Sequence, residues 1–143
     1  MLKIIAATFA VLLAVTAAKA ADPMSLQVGQ KWTVKDSSST IVIGAIEPFA
    51  TGKTAISVSV FDVPCPAAAS CTTTIVGHAP FDSQALAQSV DRLVADHAAT
   101  APNFDAGYAN WKQAKGGIFT IPVSQLPDLL FKAIPAGKHL QND

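Results

Sequence analysis

Apolar and polar positions repeat with a period near two through the first half of the chain and near three and a half through much of the second. Between residues 28 and 77, short runs rich in Val, Ile and Thr are separated by turn residues, which is the pattern of strands. It predicts strands over 30–35, 40–46, 54–63 and 72–77, with Asp36-Ser37-Ser38-Ser39 and Pro48-Phe49-Ala50-Thr51-Gly52 as connecting turns. In the third run Ile56, Val58 and Val60 alternate with Ser57, Ser59 and Phe61, giving one apolar and one mostly polar face. Such alternation suits an antiparallel sheet covered on one side. Pro64 and Pro66 end that run.

From Phe81 onward the period lengthens. Leu86, Val90, Leu93, Val94 and His97 fall on one helical stripe, with Asp82 or Ser83 as the cap. Phe104, Tyr108 and Trp111 form a second stripe, capped by Asn103 and stopped by Gly116-Gly117, although Gly107 inside it costs a helix about 1 kcal/mol against alanine. Residues 118–123 read as a fifth strand, placed at an edge by Pro122, and Ser124 caps a last helix running to Ile134. The expected fold is α+β: a mainly antiparallel sheet of about five strands, with two to three helices packed on one face.

The segment before this domain carries a different signal. Lys3 precedes an uncharged, mostly apolar core of 12 residues at 4–15, and Ala18-Lys19-Ala20 places small residues where a signal peptidase reads them. Residues 1–20 are therefore expected to form a cleaved signal helix, with the cut after Ala20. The apolar core falls short of the roughly 20 residues that span a bilayer, so no membrane anchor is expected after cleavage. No twin arginine precedes that core, which favours the general export route, and the expected location is periplasmic or secreted. The organisation that follows is a leader at 1–20, a short lead-in at 21–27, one domain at 28–134 and a mobile tail at 135–143. Cleavage removes Lys3 and Lys19, leaving eight basic and ten acidic residues, a net charge of −2. Nucleic acid, which demands a basic face, is not an expected partner.

Export bears directly on Cys65 and Cys71, the only two cysteines, in Cys-Pro-Ala-Ala-Ala-Ser-Cys. In an oxidising compartment they are expected to pair, and closing so short a loop restricts the unfolded chain by about 2.4 kcal/mol. A redox-active pair normally has two intervening residues near a helix start, which this segment lacks.

Candidates for chemistry are few. Gly52-Lys53-Thr54 resembles the end of a phosphate loop, but the glycine required five positions earlier is Glu47, the only glutamate. There is no Gly-x-Ser-x-Gly elbow and no His-Glu-x-x-His pair, and neither a metal nor a cofactor is expected. His97 continues an apolar stripe and His139 lies in the tail. His78, in His78-Ala79-Pro80-Phe81, is expected to join a strand end to a helix start, where a general base is often displayed, with Asp82 as the nearest carboxylate. The competing reading, which is favoured, has its ring bonding the turn while Phe81 packs against the start of the helix. Trp32, Tyr108 and Trp111 are candidates for stacking on a sugar or a peptide, yet helical spacing places the last two more naturally in a packed stripe.

Four landmarks occur in order: Gly29-Gln30-Lys31-Trp32, His78-Ala79-Pro80-Phe81, Gly107-Tyr108-Ala109-Asn110-Trp111 and Gly117-Ile118-Phe119-Thr120. Together, over residues 28–123, they resemble a family of small uncharacterised bacterial proteins. The resemblance implies a single intact domain and carries no activity, and the leader and cysteine loop depart from the family's commoner pattern. The leading expectation is a non-enzymatic periplasmic or secreted binding protein, of an inhibitor or immunity type. Its partner would be another exported protein, engaged by the loop between Pro64, Pro66 and Cys71. The alternative is a small hydrolase or small-ligand domain that uses His78.

Overall fold

The computed structural model describes residues 22, 25–50 and 52–132. The leader at 1–20, its cleavage point and the tail at 135–143 lie outside the described residues. The elements are β1 (Lys31–Val34), β2 (Thr40–Phe49), β3 (Lys53–Pro64), β4 (Thr73–Asp82), α1 (Ser83–Ser89), β5 (Val90–Ala95), α2 (Phe104–Gln113) and α3 (Leu126–Lys132). A single 3-10 turn, Val123–Gln125, leads into α3. The five strands form one antiparallel sheet in the order β4-β3-β2-β1-β5.

The first four strands follow from their Val, Ile and Thr runs. β2 and β3 extend further toward each other than the sequence pattern indicates, pairing out to Phe49 and Lys53. Ala50 and Gly52, with φ of 30° and 76°, make the tight reversal between them. Pro48 therefore lies within a strand and not in a turn. β4 also runs past Gly77 to Asp82, so His78-Ala79-Pro80-Phe81 is strand and does not join a strand end to a helix start. Pro80 is tolerated there because β4 is an edge strand.

The fifth strand is not the expected one. Residues 118–123 contribute only one parallel bridge, Phe119 to Phe81, in which Phe119 N–H donates to the Pro80 carbonyl and Asp82 N–H to the Phe119 carbonyl. Instead, the expected helix from Phe81 ends at Ser89, and Val90 turns extended to start β5 beside β1. Asp82 caps α1, accepting from Ala85 N–H. At the other end, the Ser89 hydroxyl donates to the Ala85 carbonyl at 2.7 Å and accepts from Val123 N–H at 3.1 Å, tying α1 to the segment before α3. The Val90, Leu93, Val94 spacing fits a helix stripe, but pairing with the free side of β1 prevails. Leu93 and Val94 remain 40% and 52% exposed, which a buried stripe would not allow.

The core lies on one side of the sheet. Ile41, Ile43, Ile56, Val58, Val60, Ala79 and Phe81 pack with Leu86, Ala87, Val123 and Leu126 from α1, the 3-10 turn and α3. The other side is also covered, which corrects the expectation that the helices share one face. The Phe104 ring of α2 lies where a Cβ on Gly44 would sit, and Gly107 of α2 rests on the Cβ of His78. His78 and Ala79 point to opposite faces because they are consecutive in a strand. The polar face of β3 is consequently buried: Ser57 and Ser59 have essentially no exposure. Ser59 donates to the Gly77 carbonyl at 2.7 Å and accepts from Ala101 N–H at 2.9 Å, so the buried hydroxyl is satisfied on both sides.

Candidate functional site

The residues with chemical potential meet under α2. The helix sits low on the sheet because the contacting positions lack side chains: Gly44 admits Phe104, Gly77 admits Asn103, and Gly107 admits His78. Asn103 spends its side chain in that contact and makes no capping hydrogen bond to α2. The expected stripe of Phe104, Tyr108 and Trp111 is present on α2 and closes over His78, whose ring centroid lies 5.6 to 5.7 Å from all three aromatic centroids.

His78 Nε2 lies 2.9 Å from Ser57 Oγ. A serine beside a histidine is the usual start of a nucleophilic pair, but Ser57 is fully buried in the centre of the sheet. Neither residue lines the polar cleft beside α1, the one beside α3 or the one between Glu47 and Trp111. Burial holds the His78 pKa below the ordinary imidazole value, favouring the neutral ring. Asp82, the carboxylate proposed as its partner, is instead spent on the cap of α1. The structure therefore does not bring these two candidates together.

A second network borders the helix. Glu47 accepts from Tyr108 Oη at 2.5 Å and from Lys112 Nζ at 2.7 Å. The Lys112 hydrogen bond, followed by that of Tyr108, holds the Glu47 pKa below the usual carboxylate value. In return, the Glu47 hydrogen bond raises those of Tyr108 and Lys112. A carboxylate fixed in its charged form by two donors braces α2 against β2 and is badly placed to exchange protons near neutrality. Trp111 stacks on Phe49 at 6.2 Å and donates from Nε1 to the Gly117 carbonyl at 2.8 Å. Sequence reasoning missed this network. The one available signal was the four-residue step from Tyr108 to Lys112, which places both on one helix face.

Trp32 does not join Tyr108 and Trp111. It lies on β1, packs against the opposite, apolar face and donates to Gln30 Oε1 at 3.1 Å. A polar cleft of about 510 Å3 lies between α1, the turn after β1 and the segment before α3, where Lys35, Asp36, Gln84, Gln88 and Gln125 contribute to its lining. His78 is not part of it. Among the described residues no group of three or more His, Cys, Asp or Glu side chains is arranged to hold a metal ion.

Cys65 and Cys71 form a disulfide, with Cα atoms 5.9 Å apart. It closes the tip of the β3–β4 hairpin, where Cys65 N–H donates to the Thr72 carbonyl and Ala69 N–H to that of Pro66. Pro64 ends β3 opposite Thr73, and Pro66 to Thr72 are all exposed. The tip therefore projects from the sheet with its ends pinned by a covalent bond and by strand pairing.

Compared with family models, with curated proteins and with solved structures, the chain finds no match. The four landmarks nevertheless explain one another within this fold. Gly107 seats on His78, Trp111 bonds Gly117, and Phe119 packs on Phe81 with ring centroids 5.4 Å apart. Gly29, at φ 92°, places its backbone against the Asp96 carbonyl, while Gln30 bonds Trp32. Each landmark thus has a packing role.

Proposed function

We propose that the protein is an exported, non-enzymatic binding protein of an inhibitor or immunity type, directed outward by residues 1–20, that recognises another exported protein through the Cys65–Cys71 tip. The observation that carries this reading is the contrast in access: the tip is exposed from Pro66 to Thr72, whereas Ser57 beside His78 is wholly buried beneath α2. A loop held by a disulfide and by Pro64 and Pro66 loses little conformational freedom on docking, so more of its contact energy remains as affinity. The four landmarks place the chain, on this proposal, with the small bacterial proteins that share them. A hydrolase or small-ligand site at His78 draws less support, because the ring faces a fully buried Ser57 and three aromatic side chains.

Partner capture from an extract of the export compartment tests the proposal. The wild type should retain a partner that Cys65→Ala/Cys71→Ala loses while keeping its circular dichroism spectrum. An unchanged set of partners on that folded variant removes the tip from the account.

A further inference from the structure

The polar cleft between α1, the turn after β1 and the segment before α3 holds side chains that the rest of the molecule leaves unused. Lys35, Asp36, Gln84, Gln88, Ser124 and Gln125 all line it, and among the described residues none of them makes a side-chain hydrogen bond or ion pair. Around α2 the comparable groups are spent on one another. We propose that this cleft binds a neutral, polyhydroxylated ligand, a short saccharide, through the carboxamides of Gln84, Gln88 and Gln125 and the side chains of Lys35 and Asp36.

The walls are joined from below at Ser89, which is 4% exposed. Its carbonyl accepts from Lys35 N–H at 2.8 Å, while its hydroxyl donates to the Ala85 carbonyl and accepts from Val123 N–H. One residue thereby ties all three chain segments to a common floor. Side chains carried on walls that are already joined leave less freedom to be lost on binding. Gln84 and Gln88 stand one helical turn apart, so both lie on the side of α1 that borders the cleft.

The chemistry of the lining selects the ligand. Lys35 offsets Asp36, its neighbour in sequence, and Asp82 accepts from Ala85 N–H at the start of α1, so the cleft concentrates neither sign of charge. An apolar ligand would strip water from the three carboxamides and return no hydrogen bond. A sugar hydroxyl both donates and accepts, and a carboxamide presents a donor beside an acceptor, which suits hydroxyls on neighbouring ring carbons. Ala85 and Pro122, which also line the cleft, supply apolar contact for the C–H face of a ring. An extended peptide would need an open strand edge, and the strand residue in the lining, Asp82, already gives its N–H to the Phe119 carbonyl. The cleft volume, about 510 Å3, falls within the range of small-molecule sites, roughly 300–1,000 Å3.

Backbone amide chemical shifts of the purified protein test this, with maltose, cellobiose and N,N′-diacetylchitobiose as probes, each titrated to about 10 mM so that millimolar affinity is detected. Inorganic phosphate and trialanine serve as the anionic and peptide arms. At least one disaccharide should shift the amides of residues 35–36, 84–88 and 124–125 in a saturable way, and phosphate and trialanine should not. Gln84→Ala/Gln88→Ala and, separately, Gln125→Ala should weaken that binding at least about tenfold, as loss of hydrogen bonds to the ligand requires. The three glutamines are exposed, so unchanged circular dichroism and melting establish that each variant is folded. No saturable shift with any disaccharide, saturation by phosphate or trialanine instead, or undiminished binding in the folded glutamine variants each overturns the proposal.

Discussion

On and around α2 the chain gathers many of the residue types associated with catalysis, namely His78, Ser57, Glu47, Tyr108 and Lys112, and it spends them on one another. At the β3–β4 tip it gathers proline, alanine and a disulfide and leaves them exposed. The first region is chemically rich and internally paired, with Ser57 fully buried; the second is chemically plain and open. The comparison teaches that a residue's type says little until its unused hydrogen-bonding capacity and its access are known. Ser57, fully buried, and the half-buried His78 satisfy each other, as buried polar groups generally must.

Four substitutions or titrations break or sharpen this contrast. Phe104→Ala should have the largest effect, because the ring fills the gap over Gly44 and packs against both His78 and Tyr108. A loss of about 3–5 kcal/mol in denaturant unfolding is expected. A loss under about 1 kcal/mol would mean that α2 rides loosely on the sheet. Replacing both Cys65 and Cys71 by alanine should cost less, about 2.4 kcal/mol, through the entropy regained by the unfolded chain. If it cost more than Phe104→Ala, the tip would be part of the core and not a projection from it.

Gly107→Ala sets two local rules against each other. Helix propensity favours alanine by about 1 kcal/mol. The new Cβ would lie 2.7 Å from the Cβ of His78, and overpacking of this kind costs about 1–3 kcal/mol. The expected net change is a loss of up to about 2 kcal/mol, measured by thermal and denaturant melts. A gain would show that the seat of α2 on β4 is not tight.

The smallest effect is the pH dependence. The folded state holds the His78 pKa below its unfolded value through burial, so at intermediate pH the unfolded chain binds more protons. The stability that neutral His78 contributes is complete above about pH 6.5 and is lost as pH falls through the folded pKa. Stability curves from pH 7.5 to 5 should therefore decline for the wild type and flatten in His78→Asn. Identical slopes in the two proteins would mean that the ring is open to water.

The first four strands were legible because Val, Ile and Thr runs leave few alternatives, and α2 was legible from Phe104, Tyr108 and Trp111. The disulfide followed from two cysteines six positions apart. β5 was not legible, since Val90, Leu93 and Val94 suit a helical stripe as well as an irregular strand, and the open side of β1 decided between them. Nor could the alternation in β3 reveal that its serine face is covered. Ser57 and Ser59 look solvent-directed in sequence, and only the glycines at 44, 77 and 107, scattered over three elements, let α2 approach closely enough to bury them. His78 was singled out for its residue type, and its surroundings come from α2, about thirty residues away in sequence.

The most direct test places the two regions in one experiment: partner capture from the export compartment with wild type, folded His78→Ala and folded Cys65→Ala/Cys71→Ala, quantified side by side. The account predicts that the His78 variant keeps the wild-type partner and the cysteine variant loses it. Loss of the partner from the His78 variant, with retention by the cysteine variant, would contradict it.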